Sequence, residues 1–109
     1  MAIEIDEVIE EIVRVLVEKC HPEKIILFGS CASGSWTPDS DIDLLIIKDA
    51  AEENKVDRFV EIKRMIYNPK LKIPVSPLVL TRAELKQRVN MGDDFINQIV
   101  TLGKVIYER

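Results

Sequence analysis

The sequence has 109 residues and a mass of 12.5 kDa, the size of one domain, and its 15 Lys and Arg against 19 Asp and Glu leave a formal charge of −4. With 47% hydrophobic and 31% charged residues it reads as neither a disordered chain nor a membrane protein. The acidic balance argues against direct nucleic-acid binding through phosphate neutralisation. Two cysteines, Cys20 and Cys31, make no disulfide framework. They read as reduced thiols of a cytoplasmic protein. Acidic residues interrupt the apolar N-terminal stretch, so no secretory signal is expected.

Ile5, Ile9, Ile12 and Leu16 recur at helical spacing with acids on the opposite face. They predict an amphipathic helix that stops near Cys20-His21-Pro22. Lys24–Phe28 is a short apolar run before Gly29 and reads as a buried strand. Gly29–Ser40 carries two glycines, Pro38 and four serines, and reads as a loop with room for one helical turn. Asp41–Lys48 is the second strand, and Ala50–Tyr67 is a helix with Val56, Phe59, Val60, the Lys63 stem and Ile66 on its buried face. Lys72–Leu80 is a third strand, and Pro74 and Pro77, each lacking a ladder donor, push it to a sheet edge or bend it. Thr81 to Glu84 fits a capping box opening a helix to about Asn90. Asp93 caps a last helix carrying Phe95, Ile96, Ile99 and Val100, closed by Gly103; that stripe reads as core, and any exposed part of it would suit a protein partner or a dimer. Lys104–Tyr107 is a terminal strand. The fold class is α/β (α+β), a small mixed sheet with helices packed on it, and residues 1–109 read as a single domain.

One segment carries chemistry. A buried strand ends at Gly29-Ser30, ten residues follow, and Asp41-x-Asp43 opens the next strand. Strand alternation puts Asp41 and Asp43 on one face. Two carboxylates there repel each other and lose hydration, and a Mg²⁺ ion sharing substrate phosphates relieves both. An Asp-x-Asp alone is more often an ordinary turn. Glycine permits close backbone approach to a ligand, and free N–H groups at a following helical turn favour an anion. Phosphate beside carboxylate-held Mg²⁺ is what phosphoryl or nucleotidyl transfer requires.

Phe28-Gly29-Ser30 followed by Ser40-Asp41-Ile42-Asp43-Leu44-Leu45 resembles the signature of the minimal nucleotidyltransferases of the DNA polymerase β superfamily. The likeness extends to Gly103–Glu108. The resemblance implies the nucleotidyltransferase fold and Mg²⁺- (or Mn²⁺-) dependent transfer of a nucleoside monophosphate from ATP or another NTP to an acceptor. It gives Asp41 and Asp43 the catalytic and metal-binding roles, and Gly29, Ser30 and Ser40 the nucleotide. It also implies an antitoxin role beside a HEPN-type toxin, bound and in some cases adenylylated. Three departures stand out. Ser76, in Pro74-Val75-Ser76-Pro77-Leu78-Val79, occupies the place where the family carries a third Asp. This degenerate position favours an alternative, an antitoxin that neutralises its partner by binding alone. Cys31 and Ser33 stand where many members have arginines. The sequence shows no separate acceptor-binding domain, so the acceptor is expected from a partner protein or a second copy of this chain.

Other residues have plainer readings. Cys31 as a nucleophile lacks a neighbouring histidine. His21 suits a helix cap, and Trp36 suits a loop anchor better than a base platform. Lys63, Arg64, Lys70 and Lys72 are local solvated charges or a contact for an acidic partner. Asp57 and Glu84 read as surface helix positions, unsuited to replace the missing carboxylate.

Overall fold

A computed structural model describes residues 5–37, 39–49, 54–67 and 73–109. Helix α1, Ile5–Lys19, buries Ile9, Ile12 and Leu16 along one stripe. His21 ends it in the left-handed region at φ 53°, and its N–H returns to the Leu16 carbonyl. Strand β1 (Lys24–Phe28) leads through Gly29 into the short helix α2 (Ser30–Ser33). Strand β2 follows at Ile42–Ile47, then helix α3 at Lys55–Met65, strand β3 at Val75–Leu80, and helices α4 at Arg82–Asn90 and α5 at Asp94–Leu102. Strand β4, Lys104–Glu108, closes the described chain. The fold is mixed α/β, with a four-stranded mixed sheet and five helices among the described residues.

The sheet order is β3-β2-β1-β4. β1 runs antiparallel to β2 and to β4, with a register shift at Ile25/Ile26. β3 runs parallel to β2, which requires a crossover, here α3. β3 lies at an edge, as its prolines allow; it begins at Val75, and the expected start at Lys72 lies outside the described residues, as do Ala50 and Lys70. Alternation divides the apolar residues between two cores. Ile25, Leu27, Ile42, Leu44, Ile46 and Val79 face α1 and α3. Ile26, Leu45, Ile47 and Leu80 face Ile96 and Ile99 of α5. No described helix is long and apolar enough to cross a membrane.

Two expectations are corrected. The α3 stripe of Val56, Phe59 and Val60 is exposed, Phe59 at 44%. The buried stripe is Arg58 and Ile62, with Met65 and Ile66 partly covered. α3 turns this way because Arg58, only 6% exposed, finds partners across the fold. Its guanidinium donates to the Val79 carbonyl at 3.3 Å and to Glu84 Oε1 at 2.6 Å. Glu84 is therefore a half-buried ion-pair partner, and not the surface position its helix suggested. The same Oε1 accepts from Thr81 N–H, while Thr81 Oγ1 accepts from Glu84 N–H. This is the capping box read from the sequence. Arg58 and these hydrogen bonds hold the Glu84 carboxyl below the usual range against the opposing pull of burial.

Candidate active site

The glycine after β1 is the first fixed point. Gly29 has φ 73° and ψ −150°, a region essentially reserved for glycine. Its carbonyl accepts from Ala32 N–H and Ser33 N–H, both at 3.2 Å, which starts α2. A Cβ placed on Gly29 would overlap Oδ2 of Asp43. The turn and the carboxylate are thus in contact.

Register explains that contact. Phe28 pairs with Asp43 across β1 and β2, and Asp43 pairs with Ser76 across β2 and β3. Strand alternation puts their side chains on one face of the sheet, the face α5 covers. Asp41 precedes β2, and the Ile42 N–H that follows it donates to the Pro74 carbonyl. Ser76 Oγ donates to Asp41 Oδ2 over a long 3.4 Å. Asp41, Asp43 and Ser76 therefore converge at one end of the sheet. Burial pushes the Asp43 carboxyl up, and the nearby Asp41 charge pushes it the same way.

A cleft of about 460 Å³ opens over Asp43 between α2 and α5. Phe28, Gly29, Ala32 and Ser33 line one side, and Phe95, Gln98, Ile99, Leu102 and Gly103 line the other. Phe28 and Phe95 meet edge to face, with ring centroids 5.8 Å apart. Spacing in the sequence did not reveal this second wall. Its one signal was the run of apolar residues on the last helix, and two of those, Phe95 and Val100, are exposed where core was expected. Only Ile96 and Ile99 are buried.

The remaining sequence candidates fall into place as follows. Gly29 and Asp43 line the cleft, whereas Ser30 only opens α2. Ser40 lies on the loop, its Oγ accepting from Thr37 N–H at 3.3 Å and lying 3.2 Å from Thr37 Oγ1. Its hydroxyl therefore closes a turn. Ser33 Oγ lies 2.8 Å from Ser35 Oγ. Burial raises the Cys31 thiol, with the Asp43 and Asp6 charges adding to it, the opposite of an activated thiolate. Trp36 is half-buried, and its Nε1 is enclosed without a partner among the described residues. Lys63 donates to the Val75 carbonyl at 2.9 Å and sits over Phe59. Glu84 is occupied by Arg58 and Asp57 is exposed, so neither joins the aspartates.

Among the described residues no group of three or more His, Cys, Asp or Glu could hold a metal by itself. The donors do fit a magnesium-type cation that also takes oxygens from a bound phosphate. Such an ion needs hard carboxylate ligands and few of them, and Asp41 and Asp43 supply two at one end of the sheet.

Known proteins resemble this chain in sequence and in fold. Residues 7–106 match the model of the nucleotidyltransferase domain family. A Methanocaldococcus jannaschii protein named as a protein adenylyltransferase is 29% identical over 104 residues, covering 94% of this chain and 97% of that protein. A second from the same organism, named likewise, is 27% identical over 112 residues, covering 95% and 75%. A crystal structure described as a nucleotidyltransferase from Sulfolobus solfataricus superposes with a TM-score of 0.62 at 28% identity, covering 94% of this chain and 79% of that one. A chain from a crystal structure of a toxin-antitoxin with AMP-PNP superposes at 0.60 and 19% identity, covering 92% and 73%, a likeness of fold.

Proposed function

Since this chain belongs to the nucleotidyltransferase domain family, and is by that membership a nucleotidyltransferase, we propose that it moves a nucleoside monophosphate from ATP to a hydroxyl of a partner protein. The observation that carries the reading is the contact between the Gly29 turn and the Asp43 carboxylate. It supports one site in which the turn takes phosphate and the two carboxylates take a cation. The names of the two M. jannaschii relatives support adenylyl transfer to protein. The toxin-antitoxin neighbour with AMP-PNP supports an ATP-like substrate and a toxin as partner. A HEPN-type toxin is the partner the sequence resemblance implies, and the free cysteines suit a cytoplasmic setting.

In this reading the triphosphate lies against Gly29, where the absent Cβ lets it approach. The first N–H groups of a helix have no intrahelical acceptor, so those of Ser30 and Cys31 face its oxygens. Asp41 and Asp43 would hold Mg²⁺ or Mn²⁺, which when bound would supply positive charge against the phosphates. The acceptor oxygen bonds to the α-phosphorus as the bond from that phosphorus to the oxygen bridging the β-phosphate breaks; pyrophosphate leaves with that oxygen, and the hydroxyl proton passes to water. Ser76 beside Asp41 offers a hydroxyl where the family resemblance expects a carboxylate. General-base assistance is worth roughly 10²–10⁴ in rate, so turnover is slow relative to a relative bearing an acid there. That observation favours the second reading as well, an antitoxin acting by binding.

Calorimetric titration of Mg²⁺-ATP into the wild type and into Asp41→Asn/Asp43→Asn tests the site. Binding by the wild type alone supports it. Equal binding, or none at millimolar ATP, refutes it. Ser76→Asp should then raise the rate of transfer to the partner about tenfold or more; an unchanged rate assigns Ser76 no part in turnover.

A further inference from the structure

The phosphate chemistry leaves the α5 wall of the cleft without a role. Phe95, Gln98, Ile99 and Leu102 succeed one another along that wall at helical spacing. Ile99 belongs to the core, but Phe95 is 53% and Leu102 76% exposed. Large apolar side chains left exposed at the rim of a cleft mark a ligand surface. Phe95 is held by its edge-to-face contact with Phe28. Phe28 in turn stands in register beside Asp43. A flat apolar group against this wall is therefore joined to the carboxylate end of the same cleft. Gln98 interrupts the apolar wall, and it is the one side-chain amide among the described residues lining the cleft.

We propose that Gln98 selects the base of the nucleotide, and that the base is adenine. The proposal rests on the nucleotidyl-transfer reading of this cleft. Adenine lies against Phe95 and Leu102, its 6-amino group donating to Gln98 Oε1 and a ring nitrogen accepting from Gln98 Nε2. A glutamine amide pairs with adenine in this two-point way. Guanine presents a carbonyl, a ring N–H and an amino group on its pairing edge. One amide meets two of these, so the third group of guanine gains no protein partner for the hydration it gives up beside the wall. Pyrimidines cover less of the wall and gain less from it.

The test is titration of the full chain, with Mg²⁺ present, by ATP, GTP and inorganic tripolyphosphate. The wild type should bind ATP about tenfold or more tighter than GTP. Gln98→Leu should bring that ratio close to one while tripolyphosphate binds as before. Gln98→Glu should shift the ratio toward GTP, because a carboxylate accepts from both guanine donors. Gln98 is exposed on α5 and both replacements are good helix formers, so the fold tolerates them. A wild type indifferent to the base overturns the proposal. So does a Gln98→Leu chain with an unchanged ratio, or one that loses tripolyphosphate as well, since that would assign Gln98 to the phosphates. A wild type that binds neither nucleotide nor tripolyphosphate overturns the nucleotidyl-transfer reading, and the base assignment with it.

Discussion

Replacing Gly29 with alanine strikes the turn and the carboxylate together. Holding an L-residue at φ 73° and ψ −150° costs on the order of 1–3 kcal/mol. The new Cβ also overlaps Asp43 Oδ2. The Asp43 side chain can escape only by leaving its rotamer, at roughly 0.5–1.5 kcal/mol. The combined loss is about 2–4 kcal/mol, which a domain of ordinary stability survives at 25 °C. It should lower Tm by roughly 10–20 °C. The displaced carboxylate no longer stands beside the turn, so Mg²⁺-ATP affinity should fall by roughly tenfold to a hundredfold. Gly92→Ala is the control. Gly92 has φ 74°, yet a Cβ there meets nothing within 4 Å. That variant should lose about 1–2 kcal/mol and bind Mg²⁺-ATP like the wild type. Thermal melts and calorimetry on the two variants separate backbone strain from the Asp43 overlap. If Gly29→Ala binds Mg²⁺-ATP normally, or is no less stable than Gly92→Ala, the coupling of turn and carboxylate is wrong.

Two further predictions concern stability and pH. Burial and Asp41 raise the Asp43 carboxyl above its unfolded value, so its stabilising contribution is present below that value and lost as pH rises through the folded one. Asp43→Asn should therefore melt higher than the wild type near pH 7, lose that gain by about pH 3, and bind no Mg²⁺-ATP; a lower melting point at pH 7 would count against the charge crowding. Glu84 runs the other way, since Arg58 lowers its carboxyl. Its contribution is present above the unfolded value and lost as pH falls through the folded one. Glu84→Gln keeps an acceptor but removes the charge opposite buried Arg58, and should cost about 1–3 kcal/mol at pH 7. Urea midpoints at pH 7 and pH 3 check this, and a deficit that persists undiminished at pH 3 would contradict the ion-pair origin.

The features legible in consecutive residues were local ones. The apolar runs, the capping box at Thr81 and the Asp93 cap form with partners a few residues away, so their residue types announce them. Gly29-Ser30 and Asp41-x-Asp43 were legible for the same reason, each being a turn or strand edge with its chemistry in consecutive residues. Prolines that cannot donate left β3 an edge place or a bend, and the sheet order gives it the edge. The tertiary structure decided everything that needed a choice between overlapping patterns. α3 offers two stripes, Val56-Phe59-Val60 and Arg58-Ile62-Met65. The apolar one lost because Val79 and Glu84, more than twenty residues away, give Arg58 buried partners. The register that sets Phe28, Asp43 and Ser76 abreast came from pairing three strands. The α5 wall became part of the cleft only when the helix packed over Leu45 and Ile47. Long-range partners decide such matters because helical and strand periodicity fixes which residues share a face, whereas the surface waiting opposite decides which face is buried.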